Sequence, residues 1–85
     1  PKDIPPYILA AGEPLTFGGL NSVGLKRRGF ARETRAAIRR AYKIIYRSNL
    51  NVSQAVKKIQ ELDDMIPEVE NILTFIEKSE RGIIG

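Results

Sequence analysis

Residues 18–30 concentrate what chemistry this chain could do. Gly18, Gly19 and Gly24 leave the backbone bare, Asn21 carries a side-chain amide, and Lys26, Arg27 and Arg28 stand side by side before Gly29 and Phe30. Glycine lets main chain approach a ligand closely. An amide both donates and accepts. Guanidinium forks match phosphate oxygens in bidentate fashion. A short helix starting near Asn21 would add free N–H groups to an anion site. The segment is therefore a candidate phosphate or nucleotide contact, with Asn21, Arg27 and Arg28 as its polar groups. The structural alternative is a solvated basic turn between a strand and a helix, since charge runs commonly mark exposed surface.

Catalysis by the chain's own residues has little to work with. It has 85 residues, no histidine and no cysteine. The usual general base near neutral pH, the commonest metal ligand, disulfides and thiolate metal sites are all excluded. No base stands at a suggestive spacing from the hydroxyls of Thr16, Ser22, Thr34, Ser48, Ser53, Thr74 or Ser79. Asp63 and Asp64 fall at an expected helix end, where a solvated pair is expected rather than an acid–base dyad, because strong carboxylate shifts need burial. No cofactor and no metal are expected.

The basic residues form a second feature. Nine of the fourteen lie between 26 and 47, where the only acid is Glu33, whereas four bases face seven acids from Lys57 onward. The net charge of +4 therefore conceals a basic middle and an acidic end. Such a cationic field suits an anionic partner: nucleic acid, phosphate, anionic lipid or an acidic protein. Arg28, Arg32, Arg35 and Arg39 step by three and four and are expected on one helix side. Solvated helices normally mix both signs, which favours a binding role for this row.

These residues need elements to hold them. Residues 1–20 are rich in Pro and Gly around a strand-like run from Tyr7 to Ala11. Everything after them has helical periodicity. A short helical turn is expected from Ser22 to Arg28, ended by Gly29. Over 32–47, Thr34, Ala37, Ile38, Ala41, Ile44 and Ile45 recur at helical spacing, with Asn49 as a left-handed stop. Asn51 and Gln54 form a capping box for a second helix, expected to end near Asp63 or Asp64. Its stripe is Val52, Ala55, Val56, Ile59 and Leu62. Pro67 opens a third, with Glu68 and Glu70 in its first turn and a stop at Lys78, Arg81 and Gly82. The expected fold class is mainly α: three antiparallel helices with short loops. Tyr42, Tyr46 and Phe75 are expected in the core or at subunit contacts, not as base-stacking platforms.

A domain of this order of size buries little more than about 60% of its unfolded surface. Its core is expected to lean on a larger chain or an oligomer. No apolar run approaches the roughly 20 residues that span a bilayer, so no stable membrane insertion is expected. The opening Pro-Lys-Asp-Ile-Pro-Pro does not look like a signal peptide and reads as the interior of a longer sequence.

Two stretches carry a resemblance. Residues 2–14, Lys-Asp-Ile-Pro-Pro-Tyr-Ile-Leu-Ala-Ala-Gly-Glu-Pro, resemble the exit from the left-handed β-helix of hexapeptide-repeat acyltransferases. More specific is Asn21-Ser22-Val23-Gly24-Leu25-Lys26-Arg27-Arg28-Gly29-Phe30, followed by Ala41-Tyr42-Lys43-Ile44-Ile45-Tyr46-Arg47-Ser48. These resemble the C-terminal region of acyl-carrier-protein:UDP-N-acetylglucosamine O-acyltransferases, and the likeness continues through Pro67-Glu68-Val69 to residues 79–84. It implies a cytoplasmic homotrimeric enzyme of lipid A biosynthesis. Residues 1–18 would leave the β-helix, and residues 19–85 would form its C-terminal helical domain. The enzyme would move a (R)-3-hydroxyacyl group from acyl carrier protein to the glucosamine 3-hydroxyl of UDP-N-acetylglucosamine. In such enzymes a histidine on the β-helix is the general base, so a C-terminal piece without histidine is expected to be inactive alone.

By the same resemblance Asn21, Arg27 and Arg28 match positions that bind the UDP-sugar. Arg39 matches a basic helix position associated with carrier-protein docking, and Arg35 and Arg32 lie on the same helix side. Val23 stands where some members have a glutamate that helps hold the nucleotide, and Pro14 where some have a histidine lining the acyl pocket. Ala31 stands at an expected N-cap where Ser is common; an alanine there forgoes about 1 kcal/mol. The competing readings are a small basic helical module that binds nucleic acid or an acidic partner, and a trimerisation domain whose charges only solubilise it.

Overall fold

A computed structural model describes residues 1–63 and 65–85, so Asp64, half of the acidic pair named above, lies outside the described residues. Two strands, β1 (Ile8–Ala11) and β2 (Thr16–Leu20), form an antiparallel hairpin, and four helices follow. They are α1 (Ser22–Arg27), α2 (Arg32–Arg47), α3 (Val52–Gln60) and α4 (Pro67–Lys78). The mainly helical expectation holds: the three longer helices form, α1 is the short turn expected from Ser22 to Arg28, and the strand-like run from Tyr7 to Ala11 is β1, with β2 added as its partner.

Strand β2 is the element that the Gly-rich opening conceals. Ile8 pairs with Leu20 and Ala10 with Phe17, so two residues of β2, Gly18 and Gly19, stand opposite Leu9 alone. That is a bulge. A Cβ on Gly18 would come to 3.2 Å from the Leu9 carbonyl oxygen, and Gly19 has φ +105°. Both glycines therefore serve the hairpin: one permits close strand approach, the other a backbone that L side chains resist.

The helices follow their sequence signals closely at their starts. The long α2 runs over the expected 32–47, opens at Ala31 with no side-chain cap, and is followed by Asn49 at φ +61°. The Asn51–Gln54 capping box forms in both directions. Pro67 occupies the first turn of α4, behind Ile66 at the cap. The ends differ more. Helix α3 stops at Gln60, not near Asp63 or Asp64, and α4 stops at Lys78, so Gly82, at φ +82°, belongs to the tail beyond it.

The core gathers around α2. Its Ala37, Ile38, Ala41, Tyr42 and Ile45 are buried with Leu25 of α1, Ala55 and Ile59 of α3, and Val69 and Ile72 of α4. Tyr42 is 1% exposed, and its hydroxyl donates to the Pro6 carbonyl at 2.6 Å. Tyr46 stacks on Phe17 of β2 with ring centroids 4.2 Å apart and planes 9° apart. Both tyrosines are therefore packing groups that fasten the hairpin to α2, worth roughly 0.5–1.5 kcal/mol per aromatic pair beyond burial.

The two chain ends are tied together. Asp3 N–H donates to the Gly82 carbonyl (2.8 Å), and Ile84 N–H donates to the Asp3 carbonyl (2.9 Å), forming a parallel bridge between Asp3 and Ile83. Ser79 Oγ donates to Asp3 Oδ2 at 2.6 Å, and Arg81 pairs with Asp3 Oδ1. Ile84 is buried, and its carbonyl accepts from the Tyr46 hydroxyl at 2.8 Å.

Candidate functional site

Asn21 leaves β2 and caps α1. Its backbone N–H donates to the Tyr7 carbonyl (2.8 Å), and its Oδ1 accepts from Gly24 N–H (3.2 Å). The oxygen is thus committed to the helix, while Nδ2 remains a donor. The cap explains Gly24: a Cβ there would meet Asn21 Nδ2 at 2.6 Å and Cγ at 3.0 Å. Cap and glycine lie close together because each excludes a bulkier version of the other.

Arg27 ends α1 and Arg28 is its C-cap, both exposed. Neither guanidinium has a side-chain partner among the described residues. They lie at the opposite end of α1 from Asn21, about 9 Å along the axis at 1.5 Å per residue. Groups at that separation suit an elongated ligand with an anionic portion. Lys26 and Arg27 in the last turn also complement the negative end of the helix dipole.

The arginine row is rearranged. Arg28 belongs to α1, so it does not continue the α2 row as its spacing suggested. Arg32 is exposed in the first turn of α2. Arg35 is half-buried, and its Nη1 donates to the Phe30 carbonyl at 2.8 Å, which pins the α1–α2 connection. Arg39 reaches back to α1, where its Nη2 donates to Ser22 Oγ at 3.3 Å. The structure therefore brings Arg39 beside Asn21's neighbour and leaves Arg32 and Arg35 farther along the connection.

A cleft of about 250 Å³ opens between β2 and α2, lined by Phe17, Leu20, Tyr42, Arg39, Lys43 and Arg47, with Gly19 at its edge. Lys43 and Arg47 were not singled out from the sequence, although they repeat the four-residue step from Arg39. The signal was present; what it lacked was β2, which supplies the apolar floor. Phe75, expected in the core or at a subunit contact, is half-buried beside Asp3, Lys78 and Ser79. Val23 is 63% exposed on α1, Pro14 is exposed in the hairpin turn, and Asp63 is exposed after α3. Among the described residues, no helix is long and apolar enough to cross a membrane.

Comparison with known proteins assigns the architecture. A family model described as UDP N-acetylglucosamine O-acyltransferase, domain 2, matches residues 3–84. The acyl-[acyl-carrier-protein]–UDP-N-acetylglucosamine O-acyltransferase of Thermodesulfovibrio yellowstonii is 45% identical over 82 residues, covering 96% of this chain and 32% of that protein. The crystal structure of LpxA, a UDP-N-acetylglucosamine acyltransferase from Bacteroides fragilis 9343, superposes with a TM-score of 0.96 at 50% identity, over 100% of this chain and 33% of that one. LpxA from Acinetobacter baumannii gives 0.90 at 37% identity, again over 100% and 33%. The chain thus spans about a third of the length of the relatives it matches. With nearly every residue inside the matched region and the fold reproduced throughout, this chain belongs to the UDP-N-acetylglucosamine O-acyltransferase family, as its second domain.

Proposed function

We propose that this chain is the C-terminal part of an acyltransferase that moves a (R)-3-hydroxyacyl group from acyl carrier protein to the glucosamine 3-hydroxyl of UDP-N-acetylglucosamine. The observation that carries the reading is the family match over residues 3–84. In the reaction the sugar oxygen attacks the thioester carbon, the C–O bond forms, the C–S bond breaks, and the hydroxyl proton passes by way of a base to the departing sulfur, so that the carrier leaves as its free thiol. The chain has no histidine, so that base belongs to another part of the protein. Residues 1–18 lead out of a left-handed parallel β-helix, and residues 19–85 form the helical domain beyond it. The whole enzyme is a cytoplasmic homotrimer that needs no cofactor.

This domain contributes binding. Arg27 and Arg28 hold the pyrophosphate through charge-assisted bonds; their guanidinium groups are exposed and have no side-chain partner among the described residues, which supports this reading. Asn21 Nδ2 donates to the same ligand from the other end of α1. Arg39, with Arg35 and Arg32, receives the acidic carrier protein. The nucleic-acid alternative is weakened by the stacked Phe17 and Tyr46 and the buried Tyr42, which leave this basic surface poor in faces for bases.

The test uses the full-length enzyme. Arg27→Ala and Arg28→Ala should each raise the KM for the UDP-sugar about tenfold or more, as expected for a lost charge-assisted contact of about 1.5–3 kcal/mol. Wild-type kinetics in both variants would remove the site assignment.

A further inference from the structure

Helix α1 closes on two nested backbone bonds. Phe30 N–H donates to the Leu25 carbonyl (3.0 Å), and Gly29 N–H donates to the Lys26 carbonyl (3.0 Å). With Gly29 at φ +79°, this is the Schellman arrangement of a helix C-terminus. Arg27 and Arg28 lie inside the closed turn, so its placement sets where their side chains leave the backbone. The connection to α2 is residues 28–31, and Ala31 caps α2 without a side-chain bond. The cap therefore does not fix the turn against the rest of the domain.

Two contacts at Phe30 do. Its ring meets Tyr7 edge-on, with centroids 5.9 Å apart. Its carbonyl accepts from Arg35 Nη1 at 2.8 Å. A charged donor makes such a bond roughly twice as strong as a neutral one. Arg35 is half-buried one turn into α2, whereas Arg32 is exposed. Lys26, Arg27, Arg28 and Arg32 already crowd this stretch of sequence, with Glu33 its only acid, so Arg35 balances no charge there.

We propose that Arg35 is a positioning residue for the sugar nucleotide: it holds the 25–30 turn so that Arg27 and Arg28 address one pyrophosphate together. The proposal rests on the functional reading above and deepens it, and it is additional to the carrier contact given to Arg35 there. Arg35 touches no substrate in this role; it acts through the carbonyl that ends the turn. Two long cationic side chains on a turn free to swing would lose conformational entropy on meeting one ligand. A turn that is already held lowers that cost before the ligand arrives. The effect belongs to sugar-nucleotide affinity and not to the chemical step.

The experiment uses the full-length enzyme as wild type, Arg35→Met, Arg35→Gln, Arg35→Lys and Arg32→Met, with Arg35→Met repeated in an Arg27→Ala/Arg28→Ala background. Binding of UDP-N-acetylglucosamine is measured by calorimetry without carrier protein at low and high salt, and KM and kcat by acyl transfer. Arg35→Met should weaken binding and raise the UDP-sugar KM by about five- to tenfold, with kcat within about twofold. The loss should persist at high salt, because it reflects a lost bond and not a screened field. Arg35→Gln, polar but too short to reach Phe30, should match Arg35→Met and serves as the second variant if methionine disturbs folding. Arg35→Lys keeps the charge and a donor of nearly the same reach, and should recover most of the affinity. Arg32→Met makes the same charge change as Arg35→Met and should stay within about twofold of wild type at high salt. Where Arg27 and Arg28 are already alanine, Arg35→Met should lower kcat/KM by less than about a further twofold, because it acts through them. An unchanged KM in Arg35→Met and Arg35→Gln, a loss that vanishes at high salt, no recovery by lysine, an equal loss in Arg32→Met, or the full loss in the alanine background would each overturn the proposal alone. Wild type that binds no UDP-N-acetylglucosamine would instead remove the functional reading and this proposal with it.

Discussion

The backbone N–H of Asn21 donates to the carbonyl of Tyr7 at 2.8 Å, and Tyr7 is held at φ +73°. A tyrosine in left-handed backbone costs about 1–2 kcal/mol, so its surroundings must over-determine it. They do: the ring meets Phe30 edge-on with centroids 5.9 Å apart, and its hydroxyl accepts from Asn71 Nδ2 of α4 at 3.1 Å. Tyr7 thus touches both ends of the segment from Asn21 to Phe30. Tyr7→Ala in the full-length enzyme should raise the UDP-sugar KM several-fold with a smaller effect on kcat. Tyr7→Phe loses only the exposed bond to Asn71, about 0.5–1 kcal/mol of stability, and should keep wild-type KM. Equal KM values for Tyr7→Ala and wild type would show that the ring does not position the site.

The Asn21 cap and Gly24 make a second expectation with opposing terms. Gly24→Ala places a Cβ 2.6 Å from Asn21 Nδ2, so the amide must swing away. Loss of the cap costs about 1 kcal/mol, while alanine for glycine inside a helix returns about the same. Thermal stability should therefore change little, yet the UDP-sugar KM should rise because the amide has moved. Asn21→Ser separates the roles in another way: the hydroxyl can still cap, but Nδ2 is gone. A Gly24→Ala enzyme with unaltered KM would mean that the amide takes no part in binding.

The helical part of this fold was legible because local signals decide it. The stripe over 32–47, the Asn51–Gln54 box and Pro67 each act within one or two turns, and each element starts where they say. Strand β2 was not legible, because Gly18 and Gly19 carry no side chain to alternate and the bulge breaks the period of two. The end of α3 was overrun because Glu61, Leu62 and Asp63 offer no glycine or proline stop. Residue type proposes Asn21, Arg27 and Arg28 as contacts, but it does not show the division of Asn21 into a committed oxygen and an available nitrogen. The cleft between β2 and α2 escaped because its two walls are 19 or more residues apart in sequence.

The union of the chain ends gives an acid-sensitive element. The Ser79 hydroxyl, and then the Arg81 guanidinium, hold the Asp3 carboxyl below its ordinary value of 3.8. A carboxylate with a lowered pKa in the folded state contributes stability that is present above its unfolded value and is lost as pH falls through the folded one. Wild type should therefore lose this contribution below about pH 4. Asp3→Asn should lower the midpoint of thermal unfolding at neutral pH, and the gap between variant and wild type should close in acid. A gap that stays constant down to pH 3 would show that the ion pair adds no pH-dependent stability. Hydrogen exchange at Ile84, whose N–H bonds to the Asp3 carbonyl, would report whether the tail loosens.

Tyr46 gives the opposite dependence at high pH. Burial raises its hydroxyl to about 12 from an ordinary value of 10.0. Its proton is given to the Ile84 carbonyl, and its ring lies on Phe17, so one side chain joins α2, the hairpin and the C-terminal tail. A group whose pKa is raised in the folded state contributes stability that is fully present below the unfolded value and is lost as pH rises through the folded one. Stability should thus begin to decline above about pH 10 and the loss should level off past about pH 12. Tyr46→Phe removes the ionisable group and leaves the Ile84 carbonyl short of a donor, which costs about 1–3 kcal/mol where that carbonyl stays shielded from water. The variant should be less stable than wild type at pH 7 and should show a shallower decline in alkali. Phe17→Leu keeps the tyrosine hydroxyl but removes the stack, so it should lose stability by about 0.5–1.5 kcal/mol beyond the change in buried area while retaining the alkaline slope. Thermal unfolding of the three proteins at neutral and alkaline pH separates the hydrogen bond from the stack; equal alkaline slopes for wild type and Tyr46→Phe would assign the high-pH loss to other groups.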